Sequence, residues 1–416
     1  MNSQARTNWR SIAAGAIGNM LEWYDFAIYG YFAAQIGRTF FSSEDHVSQL
    51  LAAFGIFAVG YLMRPLGGAL VGYIGDQFGR PAALTFSITA MAVPTFLVGI
   101  LPGYDTLGLA APVILTGLRM LQGLSVGGEC TTSIVFLYEH APPGRRGLCA
   151  AIAFCGANAG ILLGSATGSL IASILSPDAL DHWGWRIPFV LGLVVGGLGY
   201  LLRRGFSEPE TAARPARSPF ADIVRTHRSL LLWLAGISVF GAVSFYLMFV
   251  YVVSWLQFAD KIAPAHALSI NTVCMAMMMP VILGTGWLSD NVGRHRLMIA
   301  ALMLGLIGAY PLLWLMHHPS LTMVVLGQMG FVAIIGLFSG ALGGAMVEAV
   351  PPDVRCSATA LGYNITYGVA GGLSPLAATW LVNRTADDLS PAYMIMTAAA
   401  VSLLAMLLHR SRPGTA

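Results

Sequence analysis

Gly72-Tyr-Ile-Gly-Asp76-Gln-Phe-Gly79-Arg80 returns 214 residues later as Gly286-Trp-Leu-Ser-Asp290-Asn-Val-Gly293-Arg294, with two glycines, the aspartate and the arginine at unchanged spacing. A second pair of loops repeats in the same order. Glu139-His-Ala-Pro142-Pro143-Gly-Arg-Arg146 is echoed 209 residues on by Glu348-Ala-Val-Pro351-Pro352-Asp-Val-Arg355. Two unrelated loops recurring in order mark an internal duplication. Each lies between long apolar stretches, so the duplicated unit is a set of apolar helices.

The composition puts those helices in a lipid bilayer. The chain is 56% hydrophobic and 10% charged, against roughly 25% charged residues in soluble domains. A spanning helix needs about 20 mostly apolar residues. That window predicts spans at 11–33, 48–74, 82–101, 110–137, 147–175, 186–203, 229–257, 267–288, 297–316, 321–346, 356–382 and 391–409. The expected fold is therefore an all-α membrane protein with twelve transmembrane helices in two six-helix, pseudo-symmetric bundles. The first apolar stretch shows no small-residue cleavage site, so no cleavable signal peptide is expected. The net charge of +3 is scattered between helices and implies no nucleic-acid partner.

Loop charge sets the orientation. Sixteen arginines fall on the side of the N-terminus and only Arg38, Arg186, Lys261 and Arg384 on the other. Both termini are expected in the cytoplasm, in a multi-pass protein of the inner membrane. The polar stretch from Gly205 to Arg228 reads as a cytoplasmic linker, so the bundles are 1–204 and 229–416. Cys130, Cys149, Cys155, Cys274 and Cys356 lie in or beside apolar helices without a C-x-x-C pair and read as buried small hydrophobes. No metal-ligand spacing occurs, and neither metal nor cofactor is expected.

The G-x-x-x-D-x-x-G-R loop resembles the signature of the major facilitator superfamily. Further stretches resemble its metabolite:proton symporter branch, which handles organic acids, proline and betaines. These are Gly18-Asn19-Met-Leu-Glu22-Trp23-Tyr24-Asp25-Phe26, Arg64-Pro65-Leu-Gly67-Gly68, and Arg119-Met-Leu-Gln122-Gly123-Leu-Ser-Val-Gly127-Gly128-Glu129. Trp183-Gly184-Trp185-Arg186-Ile-Pro188-Phe189 adds to the match. The first loop departs from the family in reading Arg80-Pro-Ala-Ala, with fewer basic residues. The sequence closes at Ala416 without the coiled coil of some osmosensing betaine members, which lowers the expectation of osmosensing.

Ionisable residues inside spans carry the most information, because each costs about 2.5–3.5 kcal/mol at a helix centre on insertion scales. Glu22 and Asp25 are three apart and share a helix face. Asp25 and Arg119 fall at similar depth, predicting an Asp25–Arg119 pair or an Arg119–Glu22 pair on the cavity wall. Such a pair offers a coupling route. A guanidinium keeps a carboxylate ionised, and withdrawing it in a dry site favours protonation. Its planar fork also suits a substrate carboxylate. The competing reading is a static pair that orients two helices. Arg64 and Glu129, nearer the cytoplasmic end, read as an intramembrane structural pair.

Asp76 and Asp290 stand where they can cap helix N-termini. With Arg80, Glu139, Arg146, Arg294, Glu348 and Arg355 they form the expected cytoplasmic gate, an assignment that the resemblance supports. Asn19, Tyr29, Gln122, Tyr246, Gln328, Tyr363, Asn364 and Tyr367 complete the expected substrate cavity with Arg119, although ordinary packing explains many such aromatics. Trp255, near an outer end, reads as part of an interfacial belt. Gly156, Gly160, Gly164 and Gly168 make a small-residue stripe that permits close helix contact.

These observations lead to a monomeric secondary transporter, with no enzymatic activity, that imports a small organic anion (a mono-, di- or tricarboxylate) by proton symport with alternating access. Asp25 and Glu22 carry the proton and Arg119 meets the substrate. The anion is favoured because Arg119 lies at mid-span while the C-terminal spans hold no acidic residue. The alternative is proton-coupled uptake of a zwitterion such as proline or a betaine, held by an aromatic cage. An embedded enzyme, a sensor and a channel fit less well, for want of a nucleophile–base pair, a soluble domain, or a reason for duplicated gate loops.

Overall fold

A computed structural model describes residues 20, 23–43, 45–78, 80–125, 129–204, 225–352 and 354–408. Glu22, Asn19 and most of the linker lie outside these residues, as do the side chains of Asp76, Arg80 and Glu129. The described chain is helical throughout, with no strand. Its main helices are α1 (residues 23–40), α2 (His46–Leu62), α3 (Arg64–Phe78), α4 (Arg80–Ile100), α5 (Ala110–Ser125), α6 (Glu129–Glu139), α7 (Arg146–Ile174) and α8 (Ile187–Arg204). After the linker come α9 (Arg228–Phe258), α10 (Pro264–Val292), α11 (Arg294–Met316), α12 (Leu321–Ala349), α13 (Arg355–Thr385) and α14 (Ser390–Leu408).

Eight helical stretches are long and apolar enough to cross a membrane: His46–Gly68, α7, and α9 through α14. Thr85–Ile100 and Gly184–Val194 are shorter apolar helices. The spans expected at 11–33 and 110–137 run through positions outside the described residues. Large apolar side chains such as Leu109, Leu232 and Leu408 stand exposed, as a lipid-facing surface requires. The chain is a multi-pass membrane protein.

Local chemistry explains where the helices start and break. Asp45 caps α2 by accepting from Val47 N (3.2 Å) and Ser48 N (3.0 Å). Pro65 has no N–H to give the carbonyl four residues back, and the helix breaks at Met63, between α2 and α3. Pro264 opens α10 at a position where a missing N–H costs nothing. Two helices carry a π-helical turn, Leu247–Tyr251 in α9 and Tyr367–Gly371 in α13. Such widened turns concentrate at functional sites.

Helices before the linker meet those after it along two long seams, α7 against α10 and α2 against α13. On its other side α7 receives α1. A Cβ at Gly160 would stand 2.1 Å from the Met20 carbonyl oxygen, so the glycine stripe lets the two backbones touch. Two expectations are corrected. Trp255 does not face lipid as a belt residue would: it is 3% exposed and its indole N–H donates to the Asp388 carbonyl at 2.8 Å. Cys356 is exposed, while Cys155 and Cys274 are buried.

Candidate substrate and proton site

Two neighbouring sites emerge, one charged and inside the N-terminal helices, the other neutral and central. In the first, Asp25 of α1 meets α4 and α5. Its Oδ2 accepts from Arg119 Nη1 at 2.9 Å. Its Oδ1 accepts from Gln122 Nε2 at 2.9 Å and from Thr95 Oγ1 at 2.5 Å. Gln122 Oε1 in turn accepts from Arg119 Nη1 at 2.8 Å. A buried carboxylate is tolerable only when paired and hydrogen-bonded, and here both oxygens are satisfied.

The guanidinium is covered by ring faces, with Cζ 3.8 Å from the Tyr29 centroid and 5.4 Å from Phe26. Tyr29 is fixed by its hydroxyl, which donates to the Ala53 carbonyl at 3.1 Å. Asp25 and Arg119 are each 1% exposed. Thr95 is the member that sequence reasoning missed. A threonine in a span bonds its own helix cheaply and announces nothing.

The second site is a small cavity between the two sets of helices. Trp23 of α1 and Phe154, Ala157, Asn158 and Ile161 of α7 line one side. Phe245 of α9, Ser339 of α12, and Tyr363 and Tyr367 of α13 line the other. The two tyrosine rings stack at 4.0 Å. Tyr246 stands just behind, 6.4 Å from Tyr367 and 6.5 Å from Trp23. Among the described residues of this wall, no ionisable acid or base other than tyrosine occurs.

Several expected cavity residues stand elsewhere. Arg119, Gln122 and Tyr29 belong to the charged cluster, and Asn364 is buried outside the lining. Gln328 donates to the Met248 carbonyl (3.1 Å) and to Asn271 Oδ1 (3.2 Å), tying α12 to the widened turn of α9. The cavity residues not foreseen are Trp23, Phe154, Ala157, Asn158, Ile161, Phe245 and Ser339. Arg64 lies among rings, 5.4 Å from Trp23 and 5.2 Å from Tyr61.

Both ends of the central seam are closed. At the end of the repeated loops, Asp290 of α10 accepts from Gly147 N (2.7 Å) and Leu148 N (3.1 Å), capping α7 from across the seam. Arg294 donates to Asp290 at 3.1 Å and pairs with Glu348. Arg355 reaches Glu139 at 2.7 Å, again across the seam. Arg146 is exposed, 5.4 Å from the Tyr138 ring. The other end is sealed without charge. Ser165 bonds Thr272 (2.8 Å), Ser169 bonds Ser269 (2.8 Å), and Asn271 Nδ2 donates to Ser165 Oγ (3.2 Å). Asn271 also donates to the Phe249 carbonyl at 3.3 Å.

Comparison with known proteins agrees with this architecture. The chain is 33% identical over 411 residues to the glycine betaine/proline/ectoine/pipecolic acid transporter OusA of Dickeya dadantii, covering 95% of this chain and 82% of that one. It is 32% identical over 410 residues to the proline/betaine transporter of Escherichia coli K12, with the same coverage. Among solved structures a D-xylose-proton symporter superposes with a TM-score of 0.75 at 17% identity, over 96% of both chains. These findings overturn the organic-anion expectation, since the relatives matched along most of the chain are named for proline and betaines. Residues 15–375 match the Major Facilitator Superfamily, and the chain belongs to it.

Proposed function

We propose that this transporter imports a small zwitterion of the proline and betaine kind across the bacterial inner membrane, together with protons. The aromatic cavity carries the reading. Trp23, Phe154, Phe245, Tyr363 and Tyr367 offer π faces that attract a cationic nitrogen, worth about 2 kcal/mol or more when desolvated. A compact zwitterion satisfies such a wall, whereas a di- or tricarboxylate finds no countercharge there.

In this reading twelve spans form two six-helix halves, 1–204 and 229–416, joined by the 205–228 linker and working as a monomer. The repeated loops face the cytoplasm, as do both termini, and the closed seam is the occluded intermediate. Asp25 carries the proton, ionised while Arg119, Gln122 and Thr95 hold it and protonated when α1 withdraws it from the guanidinium. Glu22 assists from the same helix. Asp76, Arg80, Glu139, Arg146, Asp290, Arg294, Glu348 and Arg355 form the cytoplasmic gate, and Arg64 pairs with Glu129.

Uptake into proteoliposomes under an imposed proton gradient tests this. Proline or glycine betaine should accumulate when the lumen is alkaline, and a protonophore should collapse the accumulation. Accumulation driven by sodium alone removes the proton. Accumulation of a carboxylate with neither zwitterion taken up overturns the function.

A further inference from the structure

Asn158 is an amide set into a wall of rings. Its Nδ2 donates to the Phe154 carbonyl at 2.8 Å, one turn back in α7. A carbonyl only accepts, so this bond fixes which end of the amide is which: nitrogen toward the helix, Oδ1 away from it. Oδ1 is buried and accepts no hydrogen bond among the described residues, and the residue, 4% exposed, lines the cavity. Buried acceptors are nearly always matched by a donor. Within this cavity a ligand carrying an N–H can supply the missing donor.

The rings and the amide ask different things of that ligand. A ring face attracts positive charge whatever the nitrogen carries, so it holds a quaternary ammonium as well as a protonated amine. The Asn158 oxygen needs an N–H. We infer that Asn158 is a specificity-determining residue, selecting zwitterions whose ammonium bears at least one N–H, such as cyclic imino acids, over fully N-methylated betaines. The inference rests on the zwitterion reading above. A quaternary substrate would leave Oδ1 unsatisfied and press methyl groups against it, the situation that gives polar sites their sharpest discrimination.

The N-methylated glycines separate the two requirements, since dimethylglycine keeps one N–H and trimethylglycine has none. Half-saturation constants for counterflow in proteoliposomes would be measured for both and for proline. In the unaltered protein, trimethylglycine should need about tenfold more substrate or greater than dimethylglycine, the scale of one charge-assisted hydrogen bond. Asn158→Leu, of similar volume, should level that difference by weakening dimethylglycine and proline while leaving trimethylglycine within about twofold. Asn158→Ser, which keeps an oxygen, should retain part of the discrimination. Equal constants for the two methylated glycines in the unaltered protein overturn the inference without any variant. So does an Asn158→Leu effect that falls equally on all three substrates. Failure to move any of them overturns the zwitterion reading as well, which distinguishes the two.

Discussion

Gly30 and Val250 meet so closely that a Cβ at position 30 would lie 2.3 Å from Val250 Cγ1. The contact joins α1 to the widened turn of α9 at the end away from the repeated loops. Valine is stiff about χ1 and cannot swing aside freely. Gly30→Leu should therefore prevent this end from closing and lower transport more than about tenfold, a barrier of about 1.4 kcal/mol. Substrate binding to the detergent-solubilised variant, read by thermal stabilisation, should persist. Transport at the unaltered rate would show that the contact opens nothing.

The Asp25–Arg119 pair predicts a stability signature. Removing one member of a buried pair leaves an uncompensated charge, at a cost of about 3–5 kcal/mol. Arg119→Leu should accordingly lower the melting temperature in detergent, and adding Asp25→Asn should restore most of the loss. Additive destabilisation by the two changes would contradict the pairing that the 2.9 Å contact implies.

Coupling has its own test. Asp25→Asn cannot lose or gain a proton, so gradient-driven accumulation should vanish while counterflow exchange continues. Thr95→Val removes one donor to the carboxylate and should shift the pH at which uptake is half-maximal, with milder loss. Full accumulation by the asparagine variant would take the proton away from this residue.

Cys155, buried beside α10 with its thiol 3.7 Å from the Met279 carbonyl, reports on the charged end of the seam. Asp290→Ala deletes the cap on α7, whose loss costs about 1 kcal/mol. In a variant that retains Cys155 as its sole cysteine, a thiol reagent should react about fivefold faster after that substitution, following the larger open fraction. An unchanged rate would mean that Asp290 does not hold this end shut.

What could be read without coordinates follows from cost. Asp25 and Arg119 stood out because an ionised group inside an apolar run is expensive, and expense demands a partner. Asp290 and Glu348 stood out because their loops occur twice. Asn158 and Thr95 carry no such mark, since a neutral polar residue is cheap on a helix and its direction depends on which neighbour packs there. Trp255 was misread because position near a span end does not say whether lipid or Asp388 lies beside the ring. Gln328 was placed in the cavity for being polar at mid-span, yet its amide serves the α9 backbone.

The widened turn at Leu247–Tyr251 has two carbonyls, Met248 and Phe249, gripped from outside their own helix by the amides of Gln328 and Asn271. Neither grip involves an ion, so neither responds to counterions. For α9 to bend away from α1, those amides must let go in a place where lipid and protein offer no substitute. Only water can take over both carbonyls and amides at once. Bending α9 at this end thus requires both amide contacts to be exchanged, and water is the natural donor for the carbonyls they leave.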